Sequence, residues 1–450
     1  MWRAQDISEA LNLFYTGSDG TGFSIDSRSL KAGEIFVALP GEHVHGVQFL
    51  KHAFEKGASA ALCPLDTVCS FPLPLIKVPD PMQALRQLAA YRRKQFCGTV
   101  LGVTGSMGKT TVKEGLRHLL AEKGAYASAA SFNNHLGLPL SLTNLPLEST
   151  FGIFELGTNH PGEILDLVSL LKPQVSILTA LSPAHIGHFG NMQAIEKEKS
   201  FIFQNASLGV LSEDYKKVMD PYWIDRNCQN ILFYGPQTPI QIQEVIPLNE
   251  GCQVLCQMYD LTFSYSLTSC APHWVANSLI LVATLYGLFQ DPLEVARLSQ
   301  RLETFFPLKG RGLRRFFLKK GVWVVDESYN AAPGAMLACL KAFEKEPGRK
   351  ILFLGQMGEL GDHSQALHNS LIEPMTSIQP AHTFLIGPAF EGVAQRLKTP
   401  TTFAPSVKEL KKNFLQTLCK GDVILVKGSF SSQVSVALQW LEEEEKSLEL

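Results

Sequence analysis

The chain has 450 residues, more than one ordinary core can organise, and its length predicts roughly two to four domains. With 45% hydrophobic and 18% charged residues the composition excludes a disordered chain. A formal net charge of −2 argues against a broad phosphate-binding surface of the kind that holds nucleic acid.

The opening MWRAQDISEALNLF has no basic segment followed by an apolar one, so no signal peptide is evident and a cytoplasmic protein is expected. FSIDSRSLKAGEIFVALPGEHVHGVQFLKHAFEKGASAALC alternates short apolar runs with turn residues and one amphipathic helix, which predicts a small α/β domain. PDPMQALRQLAAYRRKQF predicts a helix: Asp80 can cap it, Pro81 suits its first turn, and Leu85, Leu88 and Ala89 share a face. TVLGVTG then reads as a buried strand.

From there to about residue 300, strands such as FGIFELG and QVSILTAL alternate with helical stretches, the pattern of a parallel sheet with helices on both faces. The most apolar stretch, ANSLILVATLYGLF, is shorter than the roughly 18 residues of a membrane span. LETFFPLKGRG reads as a linker into the strand GVWVVDES. A third alternating block follows, with strands ILFLGQ, HTFLIG and VILVKGS, and the acidic tail LEEEEKSLEL reads as a solvated helix end. The expected domains are 1–80, 81–312 and 313–450. Nine cysteines are scattered without a CxxC pair, and Cys252, Cys256 and Cys270 read as buried free thiols in strands rather than a metal site.

The strongest chemical signal is LGVTGSMGKTTVKEGL. A strand runs into Gly105, Ser106, Met107, Gly108, Lys109, Thr110 and Thr111, and a helix follows. Glycines let backbone N–H groups wrap phosphate oxygens, and the helix N-terminus adds partial positive charge. Lys109 would reach the β- and γ-phosphates of ATP or GTP, and the Thr110 hydroxyl would hold Mg²⁺. Val103 stands where the strict GxxxxGK[ST] form has its first glycine. Further on, His185-Ile186-Gly187-His188 spells the HIGH signature of class I aminoacyl-tRNA synthetases. Those enzymes carry HIGH early in their catalytic fold and have no phosphate loop of this kind. Here HIGH follows the loop, and KMSKS is absent.

TGSMGKTT, SFNNHLGLPLSL, FELGTNHPGEI, AHIGHFG with EKEKSFIF, VDESYNAAP and LGQMGELG together resemble the Mur ligases of peptidoglycan synthesis, over essentially the whole chain. DSRSLKAGEIFVALPG matches that family's uridine-nucleotide domain. FNNHLGLP and SYNAAP match its D-alanyl-D-alanine-adding branch. The resemblance implies three α/β domains: one for UDP, a central P-loop ATPase with a mostly parallel sheet, and a Rossmann-like C-terminal domain that closes. It implies that D-alanyl-D-alanine is joined to UDP-N-acetylmuramoyl-tripeptide through an acyl phosphate formed from ATP. The partners are then small molecules, with no nucleic acid and no membrane embedding, and a monomer is expected.

By the same resemblance Thr110 and Glu155 hold one Mg²⁺, and His185 with Lys199 as a carbamate holds a second. Lys109, Lys199 and His185 carry the catalysis. Asn277 meets adenine and Arg311 the phosphates, while Asp326, Glu327, Tyr329 and Asn330 reach the nucleotide from the third domain. Ser27 and Arg28 contact the uridine diphosphate, and Asn133 and Asn134 the sugar-peptide. Lys197 is the neighbour most easily confused with Lys199, and His188 is left to loop structure. Departures from the family pattern stand at Glu327, Ala332, Gln356, Phe430 and HVHGVQF. A diaminopimelate- or lysine-adding ligase, a folylpolyglutamate synthetase, a regulatory P-loop NTPase and a degenerate UDP-sugar-binding protein are the alternatives.

Overall fold

The computed structural model describes residues 1–41, 44–129, 131–248 and 250–446, with backbone only at 223–225. His43 of HVHGVQF and the tail residues 447–450 lie outside it. Among the described residues the chain forms four sheets in three α/β units.

In the first unit the strands Phe23–Ser24, Ile35–Val37, Ala60–Pro64 and Leu75–Val78 make a parallel sheet in chain order. The helix Pro81–Gln95 leads out of it. Asp80 caps this helix, accepting from the backbone N–H groups of Met82 (2.8 Å) and Gln83 (3.2 Å). Its face is divided between two cores: Ala84, Leu85 and Leu88 pack with Trp2 and Ile7, whereas Ala89 packs with Phe96 in the central unit. The seam is also hydrogen-bonded. The indole of Trp2 donates to the Thr143 carbonyl (2.7 Å), and the Asn144 side chain bonds both N–H and C=O of Phe23 (2.8 and 2.9 Å).

The central sheet runs in the order Ile231–Tyr234, Leu208–Ser212, Val175–Leu178, Thr99–Thr104, Phe151–Glu155, Ala125–Ala127, and every pairing is parallel. The chain builds one side of Thr99–Thr104 and then crosses to the other, so the end of this strand is the switch point where open α/β sheets bind ligands. The expected alternation to residue 300 is broken, however. Ile240–Pro247, Cys252–Met258 and Leu261–Leu267 form a separate antiparallel sheet. Cys252–Met258 alternates buried and half-buried residues along its length, the period-2 mark of a one-sided strand. Helix Pro272–Phe289 follows. It is long and apolar enough by length and composition to cross a membrane, but Leu279, Ile280, Leu281, Val282 and Leu285 are buried in the central core.

The third unit orders its strands Leu313–Phe317, Val322–Glu327, Asp422–Lys427, Arg349–Gly355, His382–Ile386, Thr401–Ala404, with only the first antiparallel to its neighbour. The acidic tail is not simply solvated. On helix Val436–Lys446, Glu442 pairs with Arg315, Glu443 with Lys411 and Glu444 with Lys320. Ile186, Phe189 and Ile195 of the central unit are buried in this unit's core, so the two are packed together.

Candidate active site

The phosphate loop leaves the end of Thr99–Thr104 and enters helix Lys109–Leu119. Val103 is still inside the strand, paired with Glu155 and Ile177, which is why no glycine is needed there. Two glycines are required. A Cβ on Gly105 (φ 151°) would lie 2.0 Å from the Thr179 hydroxyl, and one on Gly108 (φ 82°) would lie 2.7 Å from Oδ1 of Asn277. Asn277, one turn into helix Pro272–Phe289, is thereby set against the loop. Ser106 ties the loop to the next segment: its hydroxyl donates to the Ser182 carbonyl (2.9 Å) and accepts from the Ser182 N–H (3.0 Å). Met107 makes a bridge with Ala180, and Thr111 is buried.

Glu155 ends the neighbouring strand and is buried. The Thr110 hydroxyl donates to its Oε2 (2.6 Å) and the Asn133 amide to its Oε1 (2.7 Å). Ser131 Oγ lies 3.4 Å from the Thr110 hydroxyl and accepts from the Arg311 guanidinium (3.1 Å). Arg311 comes from the linker and stacks 3.9 Å above the Tyr329 ring. Thr110, Glu155, Asn133 and Arg311 therefore meet, joined by Ser131, which the motif pattern does not single out.

Two lysines converge on the same backbone oxygen. Lys109 Nζ donates to the Gly105 carbonyl at 2.8 Å and Lys199 Nζ at 3.2 Å. Burial, helped by the charge of Lys109, draws the Lys199 ammonium down to about 7. Lys109 is lowered by burial and by Arg311, against the opposing pull of Glu155. Lys197 is exposed on the other side of the helix Met192–Ser200. Glu198, which lies within EKEKSFIF but is given no role by the resemblance, is buried and accepts from the N–H groups of Gly162 and Ile164 (both 2.7 Å), which fixes the helix beside Lys199.

His185 sits in the left-handed region (φ 56°), and its Nδ1 contacts the Glu359 carboxylate of the third unit. Burial lowers its pKa, and Glu359 works in the opposite direction. The Gly187 N–H donates to the Glu359 carbonyl (3.1 Å), and a Cβ on Gly187 would lie 2.6 Å from the Gly361 nitrogen. HIGH is thus a docking loop for the turn MGELG. His188 is exposed with its ring 4.6 Å from that of His160.

Asp326 is fully buried: Oδ2 accepts from the Gly310 N–H (2.8 Å) and Oδ1 from the N–H and hydroxyl of Ser328 (3.2 and 2.6 Å). Glu327 lies between Lys427 and His273, 3.5 Å from each, and Lys427 and His273 hold its carboxyl low against the effect of burial. These two carboxylates face inward, whereas Tyr329 and Asn330 are exposed. The Asn134 side chain accepts from Leu136 and Gly137 N–H groups (3.2 and 2.9 Å) at the start of helix Gly137–Thr143. Ser27 and Arg28 stand apart from the cluster. Ser27 is buried against His52 (3.0 Å), and exposed Arg28 pairs with Asp26 (2.7 Å).

Among the described residues no group of three or more His, Cys, Asp or Glu could hold a metal. The hydroxyl of Thr110 and the carboxylate of Glu155 do offer adjacent hard oxygens, a donor set that suits Mg²⁺ when phosphate and water complete it.

Family models match in the order of the three units. Residues 21–93 match "Mur ligase family, catalytic domain", 103–285 match "Mur ligase middle domain", and 314–430 match "Mur ligase, glutamate ligase domain". The UDP-N-acetylmuramoyl-tripeptide–D-alanyl-D-alanine ligase of Treponema pallidum is 30% identical, over 95% of this chain and 93% of that protein. MurF from Acinetobacter baumannii superposes with a TM-score of 0.85 at 25% identity, over 98% of this chain and 99% of that one. MurF ligase from Thermotoga maritima in complex with ADP gives 0.77 at 26% identity, over 95% and 98%. With each unit matched in turn and a relative aligned almost end to end, the chain belongs to the Mur ligase family.

Proposed function

We propose that the protein joins D-alanyl-D-alanine to UDP-N-acetylmuramoyl-tripeptide in peptidoglycan precursor synthesis, at the expense of ATP. A free carboxylate is a poor electrophile at neutral pH. Transfer of the γ-phosphate to the tripeptide terminus gives an acyl phosphate, and the dipeptide amine displaces phosphate through a tetrahedral intermediate. Most of the rate enhancement is positioning and charge neutralisation. The observation that carries this reading is the meeting of Arg311 with Ser131 and Thr110 beside Lys109, which joins the linker to the phosphate loop.

In this reading the backbone of Gly105 to Gly108, with Lys109, Thr110 and Thr111, cradles the phosphates, and Asn277 flanks adenine. Arg311 adds charge at the phosphates, with Tyr329 stacked beneath it and Asn330 near the nucleotide. Asp326 and Glu327 act at one remove, by holding Gly310 and Lys427 in place. Thr110 and Glu155 would hold one Mg²⁺, which when bound neutralises charge on the phosphoryl oxygens. Imidazole and amine alone suit a second Mg²⁺ poorly. Lys199, buried and drawn toward its neutral form, can take up CO₂ and release a proton, giving a carbamate whose oxygens suit that ion beside His185. Asn133 and Asn134 border the sugar-peptide, and Ser27 and Arg28 the uridine diphosphate. The units divide near 80 and 312. The enzyme works as a cytoplasmic monomer on small molecules, without nucleic acid and without membrane embedding.

Mass spectrometry of the product tests the reading. One D-alanyl-D-alanine unit added to the UDP-tripeptide is expected. Addition of a single diaminopimelate, lysine or glutamate instead would assign the chain to a sister reaction.

A further inference from the structure

The antiparallel sheet holds a pair of thiols that the ligase reaction does not use. Cys252 is fully buried at the start of its strand, opposite Leu267. Cys270 lies three residues beyond Leu267 and is exposed, contrary to the expectation of a buried strand thiol. The two meet. Cys270 donates to the Gly251 carbonyl and Cys252 donates to the Ser269 carbonyl at 3.7 Å, so each thiol bonds the carbonyl of the residue just before the other cysteine. Cys256 is buried, with its thiol directed to the Gln257 carbonyl (3.6 Å). Exposed Cys97 and Cys419 point at carbonyls two residues away.

We propose that Cys252 and Cys270 are a redox-active dithiol, a modification site that closes to a disulfide when hydrogen peroxide oxidises it and thereby weakens nucleotide binding. The exposed member reacts first. Cys270 loses its proton to solvent and its sulfur attacks the O–O bond of the peroxide; one oxygen leaves as water and the other remains as a sulfenic acid. The Cys252 sulfur then attacks the Cys270 sulfur. The S–O bond breaks, and the departing hydroxide leaves as water with the Cys252 proton. Two thiols and one peroxide give one disulfide and two waters. Burial pushes the Cys252 thiol up to about 12, so Cys252 is not the first nucleophile.

The consequence follows from chain connectivity. Cys270 is two residues before helix Pro272–Phe289, whose first turns carry His273 against Glu327 and Asn277 against Gly108. Trp274, between them, stacks on Phe305 at 5.3 Å just ahead of the linker. Pulling Cys270 off the Gly251 carbonyl toward Cys252 moves the start of this helix, and Asn277 has no slack against the loop. The covalent step stands on its own geometry; the effect on nucleotide rests on the proposed place of Asn277 at adenine.

The test treats reduced full-length protein with hydrogen peroxide. Peptide mapping without reductant should find Cys252 linked to Cys270, with the link removed by dithiothreitol. Binding of a fluorescent ATP analogue should weaken roughly tenfold on oxidation and recover on reduction, as a displacement near 1 Å at a binding group can cost that much or more. Cys270→Ser should bind and turn over normally when reduced and show no response to peroxide. Cys252→Ala should likewise form no link, and Cys270 should then stop at a sulfenic acid trapped by dimedone. Independent alkylation of both thiols after peroxide would overturn the proposal, and a disulfide with unchanged nucleotide affinity would overturn the coupling. Because the link and the affinity are read without the ligation assay, failure of the ligase reading would show separately, as ATP use by the reduced enzyme that ignores the dipeptide.

Discussion

Lys109 and Lys199 share the Gly105 carbonyl, and that crowding shapes the chemistry of both. The charge of Lys109 beside it, added to burial, favours the neutral amine at Lys199, so the pit is pre-set for a phosphate on one lysine and a carbamate on the other. Lys109→Ala should lower ligation by at least on the order of 10²–10³-fold, because it removes a cation aimed at charge that develops during transfer. Its unfolding temperature should move little, as the lost hydrogen bond to the Gly105 carbonyl is offset by removal of a buried charge beside Lys199. Near-normal ligation would take the loop out of the mechanism. Lys199→Ala should lose most activity and recover part of it with millimolar formate or acetate, whereas exposed Lys197→Ala should stay close to wild type. Full activity of Lys199→Ala in CO₂-free buffer would contradict the carbamate.

The turn MGELG and the HIGH loop form one contact between the central and third units. Glu359 and His185 both adopt left-handed backbone, and the loops approach through Gly187 and Gly361. Beneath the turn, buried His368 donates from Nδ1 to the Ser364 carbonyl (2.8 Å) and accepts on Nε2 from the Met357 N–H (3.0 Å). A second ring proton would face an N–H, and burial accordingly lowers this imidazole below its ordinary 6.5. The unfolded chain then binds more protons, so this stabilisation is complete above the ordinary value and declines as pH falls from there toward the folded value. Chemical denaturation between about pH 7 and about pH 5.5 should show a smaller loss of stability in His368→Gln than in wild type. An unchanged pH slope would remove His368 as its source. The sequence carries the phosphate loop openly, because strand, glycines and helix cap are local. It carries the sheet 240–267 as well, in the alternation of CQVLCQM, a signal masked by the βα rhythm on either side. Ser131, Glu359 and His273 were not legible: each acts through a partner brought close by the fold, as Glu359 does with a histidine 174 residues away.

For the molecule as a whole, the parts that would enclose a nucleotide come from different units. The loop, Glu155 and Asn277 are central, while Arg311 and Tyr329 come from the linker and the strand end that follow. No unit alone completes the cluster, so closure and chemistry should be coupled. Small-angle scattering should report a smaller radius of gyration when a nucleotide analogue and UDP-tripeptide are bound together than in the free enzyme, and an unchanged radius at saturation would count against closure. In the proposed reaction ATP is spent to activate one carboxylate for one dipeptide. This is tested most directly by following ADP release with UDP-N-acetylmuramoyl-tripeptides ending in diaminopimelate or in lysine, each with D-alanyl-D-alanine supplied or withheld. Sustained ADP release is expected only when a tripeptide and the dipeptide are both present, with one ADP per peptide bond formed. ADP release at the same rate without the dipeptide, or without either substrate, would contradict it.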